Sequence, residues 1–509
     1  MDNKKYMAVT IGPIFETINM SPSPAALWAS SYLFSLLTKE ICERLCSVDL
    51  DEKYKIVETD IVSPFFSHNS YEKQKNGIGL FPDRIIFQLN ENSELNASNF
   101  KEKVSDVAVQ SVAQKLGLTD NEDIKYLNEY IMIRTVVFFA KNPIVEASKY
   151  LDSIELASPY VLSTRGNHVI ASLCEKEHVK NSELVKSFDK FSLRKESGNE
   201  KIIFKELKDI IGFETDTDFK KYSYYAIVRA DGDGIGKLLE QIGTDSEKVN
   251  EFSKSCLLYC EKASELVSEY NGVTIYAGGD DLLAILPCDS KMKENEGTPF
   301  HFSGKLNAVF CETFKNLITE CNKDKADRDK LSVSISVGIT VAYYKFPLYE
   351  ALEDSQNMLF GYAKRKRNGI AVKIQKHSGQ SEGLFIPFEK LDVMLALMNY
   401  IFDNVNDDVI LSALHKMSFY EIMFSNAQDC RTVRNLFVNI FDGFDHKNNE
   451  FLHQKLPDIF CDIFNIPAIK RKVCAIDDTG INNKDNAKTF SYLLRIIKFF
   501  VEKGGNNNG

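Results

Sequence analysis

The run Ile275-Tyr276-Ala277-Gly278-Gly279-Asp280-Asp281-Leu282-Leu283-Ala284-Ile285 constrains the fold of this 509-residue chain more than any other stretch. Two apolar runs of strand composition meet at a Gly-Gly-Asp-Asp step, which predicts a β-hairpin. Gly278 and Gly279 permit the backbone conformations of a tight turn and leave room for a bulky phosphate to approach the backbone. Adjacent carboxylates at such a tip repel each other unless a cation lies between them, so Asp280 and Asp281 point to divalent-metal binding.

A second acidic cluster strengthens that reading. Tyr224-Tyr225-Ala226-Ile227-Val228-Arg229-Ala230 is strand-like and runs into Asp231-Gly232-Asp233-Gly234, which reads as an acidic turn. A helix begins near Gly236, and an amphipathic segment follows from about Ser246 to Tyr270, with Asn271-Gly272 as its stop. If the two strands are neighbours, Asp231 and Asp280 share one sheet edge, a geometry for two hard cations bridged by oxygen ligands. Asp-Gly and Gly-Asp-Asp are also ordinary turn sequences. The argument for chemistry is that both occur, each abutting a buried-looking strand and separated by a single helix. Gly232 to Lys237 is not a P-loop, because its spacing is wrong and Leu238 stands where a Ser or Thr is required.

Elsewhere, strands are expected at 6–11, 55–61 and 84–90 and helices at 24–47 and 97–117, an α+β unit of ferredoxin type over residues 1–119. That unit has no Gly-Gly-Asp-Asp hairpin and is not expected to hold a metal pair. Residues 120–220 read as mostly helical and charged, with an exposed break near Arg194 to Lys201. A second α+β unit is expected over 221–378. Residues 379–509 read as a helical bundle built from Leu391–Asn404, Val409–Ser425, Thr432–Phe441 and Ala487–Lys503, with a frayed tail from Gly504.

Composition narrows the function. An apolar content of 44% supplies several cores. The 11 cysteines include no Cys-x-x-Cys; Cys42/Cys46 and Cys256/Cys260 sit four apart in helical patterns and read as packed thiols. Eight scattered histidines give no support to a histidine-rich metal centre. With no signal peptide and no apolar run near membrane-spanning length, a cytoplasmic chain without membrane contact is expected. The formal charge of −10 argues against strong sequence-independent nucleic-acid binding by this chain alone. The densest basic run, Lys364-Arg365-Lys366-Arg367, follows a helical segment from Pro347 to Tyr362; it suits either nucleotide phosphates or a solvated helix end.

Together, Asp231-Gly232-Asp233, Gly278-Gly279-Asp280-Asp281, Ser334-Ile335-Ser336-Val337-Gly338-Ile339 and Ala363-Lys364 resemble the cyclase palm of the large subunit of type III CRISPR effector complexes. Ile11-Gly12-Pro13-Ile14-Phe15, Leu27-Trp28-Ala29-Ser30-Ser31-Tyr32-Leu33 and Gly79-Leu80-Phe81-Pro82-Asp83-Arg84 resemble the first, degenerate palm of the III-B (Cmr) branch. The resemblance spans most of the first 380 residues and is weakest between about 120 and 220. It implies an α+β fold of two ferredoxin-like, nucleotidyl cyclase-like palms with a helical insert and a C-terminal helical bundle.

The same resemblance implies nucleotidyl transfer from ATP with two Mg²⁺ or Mn²⁺ ions. Asp231 and Asp280 would hold one cation, Asp281 would share or orient a metal, and Asp233 would be a further ligand. Gly232, Gly278 and Gly279 would give the nucleotide close access, and Lys364 would neutralise its phosphates. The usual product in this family is cyclic oligoadenylate; some members without the HD nuclease domain instead join AMP to S-adenosylmethionine. This chain opens at the first palm and has no His-Asp dipeptide, so an HD nuclease is not expected. For a methionine-type acceptor, Asp60, after an expected strand from Lys55 to Thr59, is the candidate for its ammonium group; the alternative is a solvated strand end. Implied partners are guide RNA, target RNA, a subunit capping the guide's 5′ end, a backbone subunit and a small helical subunit.

Two rival readings remain. One is a catalytically silent scaffold of the guide-RNA complex, which gives no physical reason for uncompensated carboxylates at one edge. The other is a diguanylate-cyclase-like enzyme, but Asp281-Leu282 stands where that family has Glu-Phe.

Overall fold

A computed structural model describes residues 3–157, 193–203, 224–467 and 486–504, apart from 20, 22, 68–77, 119–120, 196–200, 289–296, 324, 327–328, 377–380, 405–406 and 443–449, together with Leu207 and Ile210. Much of the expected helical insert, and the tail beyond Gly504, lie outside the described residues.

The first sheet contains β1 (Lys4–Gly12), β2 (Ile61–Ser63), β3 (Arg84–Gln88) and β4 (Met132–Ala140), in the order β2-β3-β1-β4 with every pair antiparallel. Helices fall between β1 and β2 (Pro24–Cys46) and between β3 and β4 (Ala97–Phe100 continuing through a π-helical turn into Asp106–Lys115). This is the ferredoxin-like βαββαβ arrangement. Ser23 starts the first of these helices, its hydroxyl accepting from the Ala26 amide, and Pro24 follows in the first turn, where a missing N–H costs nothing.

Two corrections concern this unit. The stretch expected as a strand at 55–61 is extended loop followed by a 3₁₀ turn, Glu58–Asp60, and pairing begins only at Ile61. The region expected to be mostly helical from 120 contains β4, which pairs along the whole of β1, so the first sheet reaches beyond residue 119. The apolar run Val136-Val137-Phe138-Phe139 in β4 carries the β-branched and aromatic residues that favour strands. β5 (Leu193–Lys195) and β6 (Lys201–Ile203) form a short antiparallel pair flanking the expected break.

The second sheet comprises β7 (Tyr224–Asp233), β8 (Val273–Gly278), β9 (Asp281–Pro287), β10 (Ser334–Tyr343), β11 (Gly369–Gln375) and β12 (Ser381–Pro387), ordered β12-β11-β10-β7-β9-β8. Its β10-β7-β9-β8 portion repeats the topology of the first sheet, and β11 joins β10 in parallel. β12 lies beyond the expected boundary at 378 and completes this sheet rather than the bundle. Side chains alternate along β7. Ala226, Val228 and Ala230 pack in one core with residues of the helices Ser246–Glu269 and Pro299–Cys321, including Tyr259, Phe310 and Phe314. Tyr225 and Ile227 join Leu283 and Ile285 of β9 in a second core, shared with Trp28, Leu33 and Leu37 of the first unit. The face of β7 that carries Asp231 is therefore turned toward the first unit.

Beyond β12 the described residues form helices, Phe388–Asn404, Asp407–Phe419, Glu421–Ser425, Cys430–Ile440, Leu456–Ile463, with a π-helical turn Phe451–Lys455 ahead of it, and Asn486–Gly504. Phe424, Phe437, Phe460 and Phe490 meet in its centre, and Phe499 of the last helix packs edge-on against Tyr224 at 4.9 Å between centroids. No helix among the described residues is long and apolar enough to cross a membrane.

Candidate active site

The acidic segment expected as a turn is the paired end of a strand. Asp231 lies opposite Ser336 and Asp233 opposite Ser334, because β10 is long enough to pair β7 to its last residue; the chain turns only at Gly234. On the other side, β9 pairs with β7 with Ala230 opposite Leu282, so Asp281 arrives beside Asp231. β8 and β9 form the expected hairpin, closed by the Gly278–Asp281 pair, with Gly279 at φ +69°. Cys260, from the helix beneath, donates to the Gly279 carbonyl at 3.4 Å.

Ligand oxygens of Asp231, Asp280 and Asp281 lie within 4.8 Å of one another. Gly232 makes this approach possible: a Cβ there would come within 2.7 Å of Asp280 Oδ2. Crowding has an electrostatic consequence. Burial, then the Asp231 charge, pushes Asp280 up to about 7, against an ordinary aspartate value of 3.8. Desolvation of its carboxylate and the charges of Asp280 and Asp231 raise Asp281 well above the ordinary aspartate value, although the residue as a whole is exposed. Asp231 is raised by burial, an effect opposed by Lys364. Three hard oxygen donors that suppress one another's ionisation fit a divalent cation such as Mg²⁺ or Mn²⁺.

Asp233 lies outside that trio. It is 4% exposed, and its oxygens accept from Ser334 Oγ (3.0 Å), Ser336 Oγ (3.0 and 2.8 Å) and the Asn368 amide (3.1 Å). Lys364 bridges the two aspartates of β7, with Nζ 2.9 Å from Asp231 Oδ1 and 3.3 Å from Asp233 Oδ1, and donates to the Gly232 carbonyl at 2.6 Å. The serines were visible only as part of a motif. Their spacing of two on a strand is the signal that both side chains would share a face with the acids opposite.

A cavity of 710 Å³ opens between the two sheets. Arg229, Tyr276, Asp281, Leu359 and Phe360 line it from the second unit, and Thr10, Glu16, Asp83, Asp152 and Glu155 from the first. Arg229 is half-buried, its Nε donating to Ser355 Oγ at 3.0 Å; desolvation lowers its pKa to about 10 despite the Asp281 charge. At the opposite wall, Arg84 pairs with Asp152 (2.6 Å) and Glu155 (3.0 Å), and Thr10 donates to Glu155 at 2.6 Å. Asp60 does not line this cavity; the acid beside a first-unit strand that does is Asp83, whose pKa desolvation raises. The physical reason is the missing strand: with 55–60 in loop and 3₁₀ turn, Asp60 is placed before β2 and not on the face shared by the sheets. The short run Phe81-Pro82-Asp83-Arg84 held the signal, an acid placed directly before a buried strand.

Two sequence families match the chain: "CRISPR-associated protein Cmr2, N-terminal" over residues 6–116 and "Cas10/Cmr2, second palm domain" over 224–371, together just over half of it. The Cmr2 subunit of the Pyrococcus furiosus CRISPR Cmr system is 28% identical over 243 residues, covering 40% of this chain and 26% of that protein. The Saccharolobus solfataricus Cmr2 subunit is 26% identical over 188 residues, covering 34% of this chain and 18% of that one. The match thus spans about a quarter or less of these curated relatives. In fold, the chain is similar to a chain of the apo type III-B Cmr-beta complex, with TM-score 0.55 and 12% identity over 98% of this chain and 82% of that one. It is also similar to a chain of the Csm1-Csm4 subcomplex of a type III-A complex, with TM-score 0.50 and 11% identity over 98% and 70%. Two palm sheets of like topology, the acidic trio on the second, and both family matches placed on those same sheets make this chain a member of the Cas10/Cmr2 family, of the Cmr2 large-subunit type.

Proposed function

We propose that this chain is the nucleotidyltransferase of a type III CRISPR antiviral complex, activated by target RNA and converting ATP into an AMP-containing second messenger. The observation that carries the reading is the convergence of Asp231, Asp280 and Asp281, the last of which lines the 710 Å³ cavity. A ribose hydroxyl oxygen attacks the α-phosphorus of ATP, the bond to the β-phosphate breaks, pyrophosphate leaves and the hydroxyl proton goes to solvent or a site carboxylate. Asp231, Asp280 and Asp281 would hold the divalent ions, which would supply a lowered hydroxyl pKa and charge neutralisation for the leaving group. Gly279 leaves the hairpin tip open to a triphosphate, since a Cβ there would meet nothing within 4 Å. Lys364 supplies a positive charge beside Asp231.

The cavity lining bears on the acceptor. Glu16, Asp83, Asp152, Glu155 and Asp281 face Arg229 alone among the lining cations, although Arg84 pairs with Asp152 and Glu155 and its charge also acts on Asp83. Such a lining supports a cationic acceptor, S-adenosylmethionine with its sulfonium and ammonium groups, over a second ATP; Asp83 is the better placed acid for it than Asp60. Membership of the family supports guide RNA, target RNA, a 5′-end capping subunit, a backbone subunit and a small helical subunit as partners, the last docking on the C-terminal helices.

The test is product identification by mass from the assembled complex with target RNA, Mn²⁺ and labelled ATP, with and without S-adenosylmethionine. A conjugate of AMP and S-adenosylmethionine is expected, and an Asp280→Ala, Asp281→Ala double variant should abolish it. Cyclic oligoadenylate alone would reject the cationic-acceptor reading, and no product from a target-binding complex would leave a scaffold.

A further inference from the structure

We infer that Asp233 is the anchor of Lys364 rather than a metal ligand, and that Lys364, so held, is a built-in cation that competes with divalent metal for Asp231. Every lone-pair direction of the Asp233 carboxylate is engaged: two serine hydroxyls, the Asn368 amide and the Lys364 ammonium surround it, at 4% exposure. A metal ion would have to displace these donors from a buried site. Asp231 differs. Among described residues Lys364 is its one ion-pair partner, and its carboxylate is also within ligand distance of Asp280 and Asp281.

The chain carrying Lys364 is pinned to the same anchor from both sides. Ahead of it, the π-helical segment Asn357–Ala363 packs on β10 at Gly338, where a Cβ would come within 2.5 Å of the Leu359 amide nitrogen. Behind it, the left-handed residues Arg367 (φ 63°) and Asn368 (φ 49°) turn the backbone so that the Asn368 amide reaches Asp233. Ser336 ties the two, donating to Asp233 and lying 3.4 Å from the Ala363 carbonyl. The ammonium is thus delivered between Asp231 and Asp233 by fixed backbone, with the Gly232 carbonyl as its third acceptor. Without metal it offsets the charge of β7's acidic end. When a divalent ion takes Asp231, Lys364 keeps Asp233 and the Gly232 carbonyl and frees one N–H for a phosphate oxygen. Asp233 and Ser336 are then positioning residues, acting through Lys364.

The inference rests on the metal reading of the aspartate trio but not on turnover, so Mn²⁺ binding to the purified chain, read as free Mn²⁺ by electron paramagnetic resonance, tests it directly. Affinity for a partly occluded site is reduced by the fraction of time it is occluded. Lys364→Met should therefore tighten Mn²⁺ binding by about threefold or more. Asp233→Asn should leave it within about twofold, whereas Asp231→Asn should weaken it about tenfold or more, as loss of a ligand does. A tenfold weakening in Asp233→Asn would make Asp233 a ligand, and unchanged or weaker binding in Lys364→Met would overturn the competition. Should Asp233→Asn fail to fold, Lys364→Met and Lys364→Gln, at a position one-fifth exposed, decide the matter. A wild-type chain that binds no Mn²⁺ would overturn the metal reading itself, a result distinct from either failure above.

Discussion

At the scale of single residues, the site is governed by carboxylates held closer than their charges favour. Asp280 sits near 7 in the folded chain because of burial and the Asp231 charge, against 3.8 for the ordinary side chain. The folded, metal-free state therefore binds this proton more tightly than the unfolded state, and stability is lost as pH rises from about 4 to about 7. In chelator, Asp280→Asn should be more stable than wild type by an amount that grows across that window to on the order of 1–3 kcal/mol and then levels off. Urea titrations at pH 4.5, 6 and 8 measure it; a difference that is flat with pH would sink the argument. Gly232→Ala should act through space alone. Its Cβ displaces Asp280 Oδ2 from a 2.7 Å approach and also meets Phe310 Cζ at 3.0 Å, so product formation should fall about a hundredfold while the chain loses roughly 1–3 kcal/mol. Normal turnover in a folded Gly232→Ala variant would show that Asp280 need not stand where it does.

At the scale of elements, what matters is how strands and the π-helical segment index one another. Gly338 is the contact point between β10 and the segment carrying Lys364: a Cβ there would lie 2.5 Å from the Leu359 amide nitrogen and 2.7 Å from the Ser355 carbonyl. Gly338→Ala should push the segment off the sheet, costing about 1–3 kcal/mol, and should lower activity even though residue 338 touches no substrate. Thermal melts alongside turnover assays check this, and an active variant of wild-type stability would refute it. The hairpin itself was legible because Gly278 to Asp281 combine turn chemistry with flanking apolar strands. β4 was not, since its partner β1 is remote in sequence and helices flank it, and β12 was not, since it opens on Ser381-Glu382-Gly383, residues that disfavour strands. The loop and 3₁₀ turn at 55–60 carry a strand signal because Ile56 and Val57 favour strands, whereas tertiary pairing starts only at Ile61.

At the scale of the molecule, the two palms are joined through a common core, and the C-terminal helices pack back on the second palm through Phe499 against Tyr224 and Phe500 against Phe300. Phe460 is fully buried and contacts Phe424, Phe437, Phe464 and Phe490. Phe460→Ala should destabilise the bundle by about 3–5 kcal/mol, seen as a separate early transition if it unfolds apart from the palms and as a lower single Tm if it does not. An unchanged melting profile would mean the aromatic cluster is not a core.

Local chemistry in the sequence determined the palm hairpin, the acidic residues and their strands, because turn propensity, strand alternation and charge are properties of neighbouring residues. It did not determine which acids converge. Asp231, Asp280 and Asp281 meet only because β7 and β9 are adjacent in register. Asp233, two residues along the same strand, is turned into a buried cage of serines and an amide supplied by β10 and the turn after Lys364. Nor could spacing separate Asp60 from Asp83, both acids beside a strand of the first palm. Only the packing of one sheet over the other places Asp83 at the cavity wall and leaves Asp60 outside it, since a shared cavity is a property of two surfaces and neither sequence segment encodes the other.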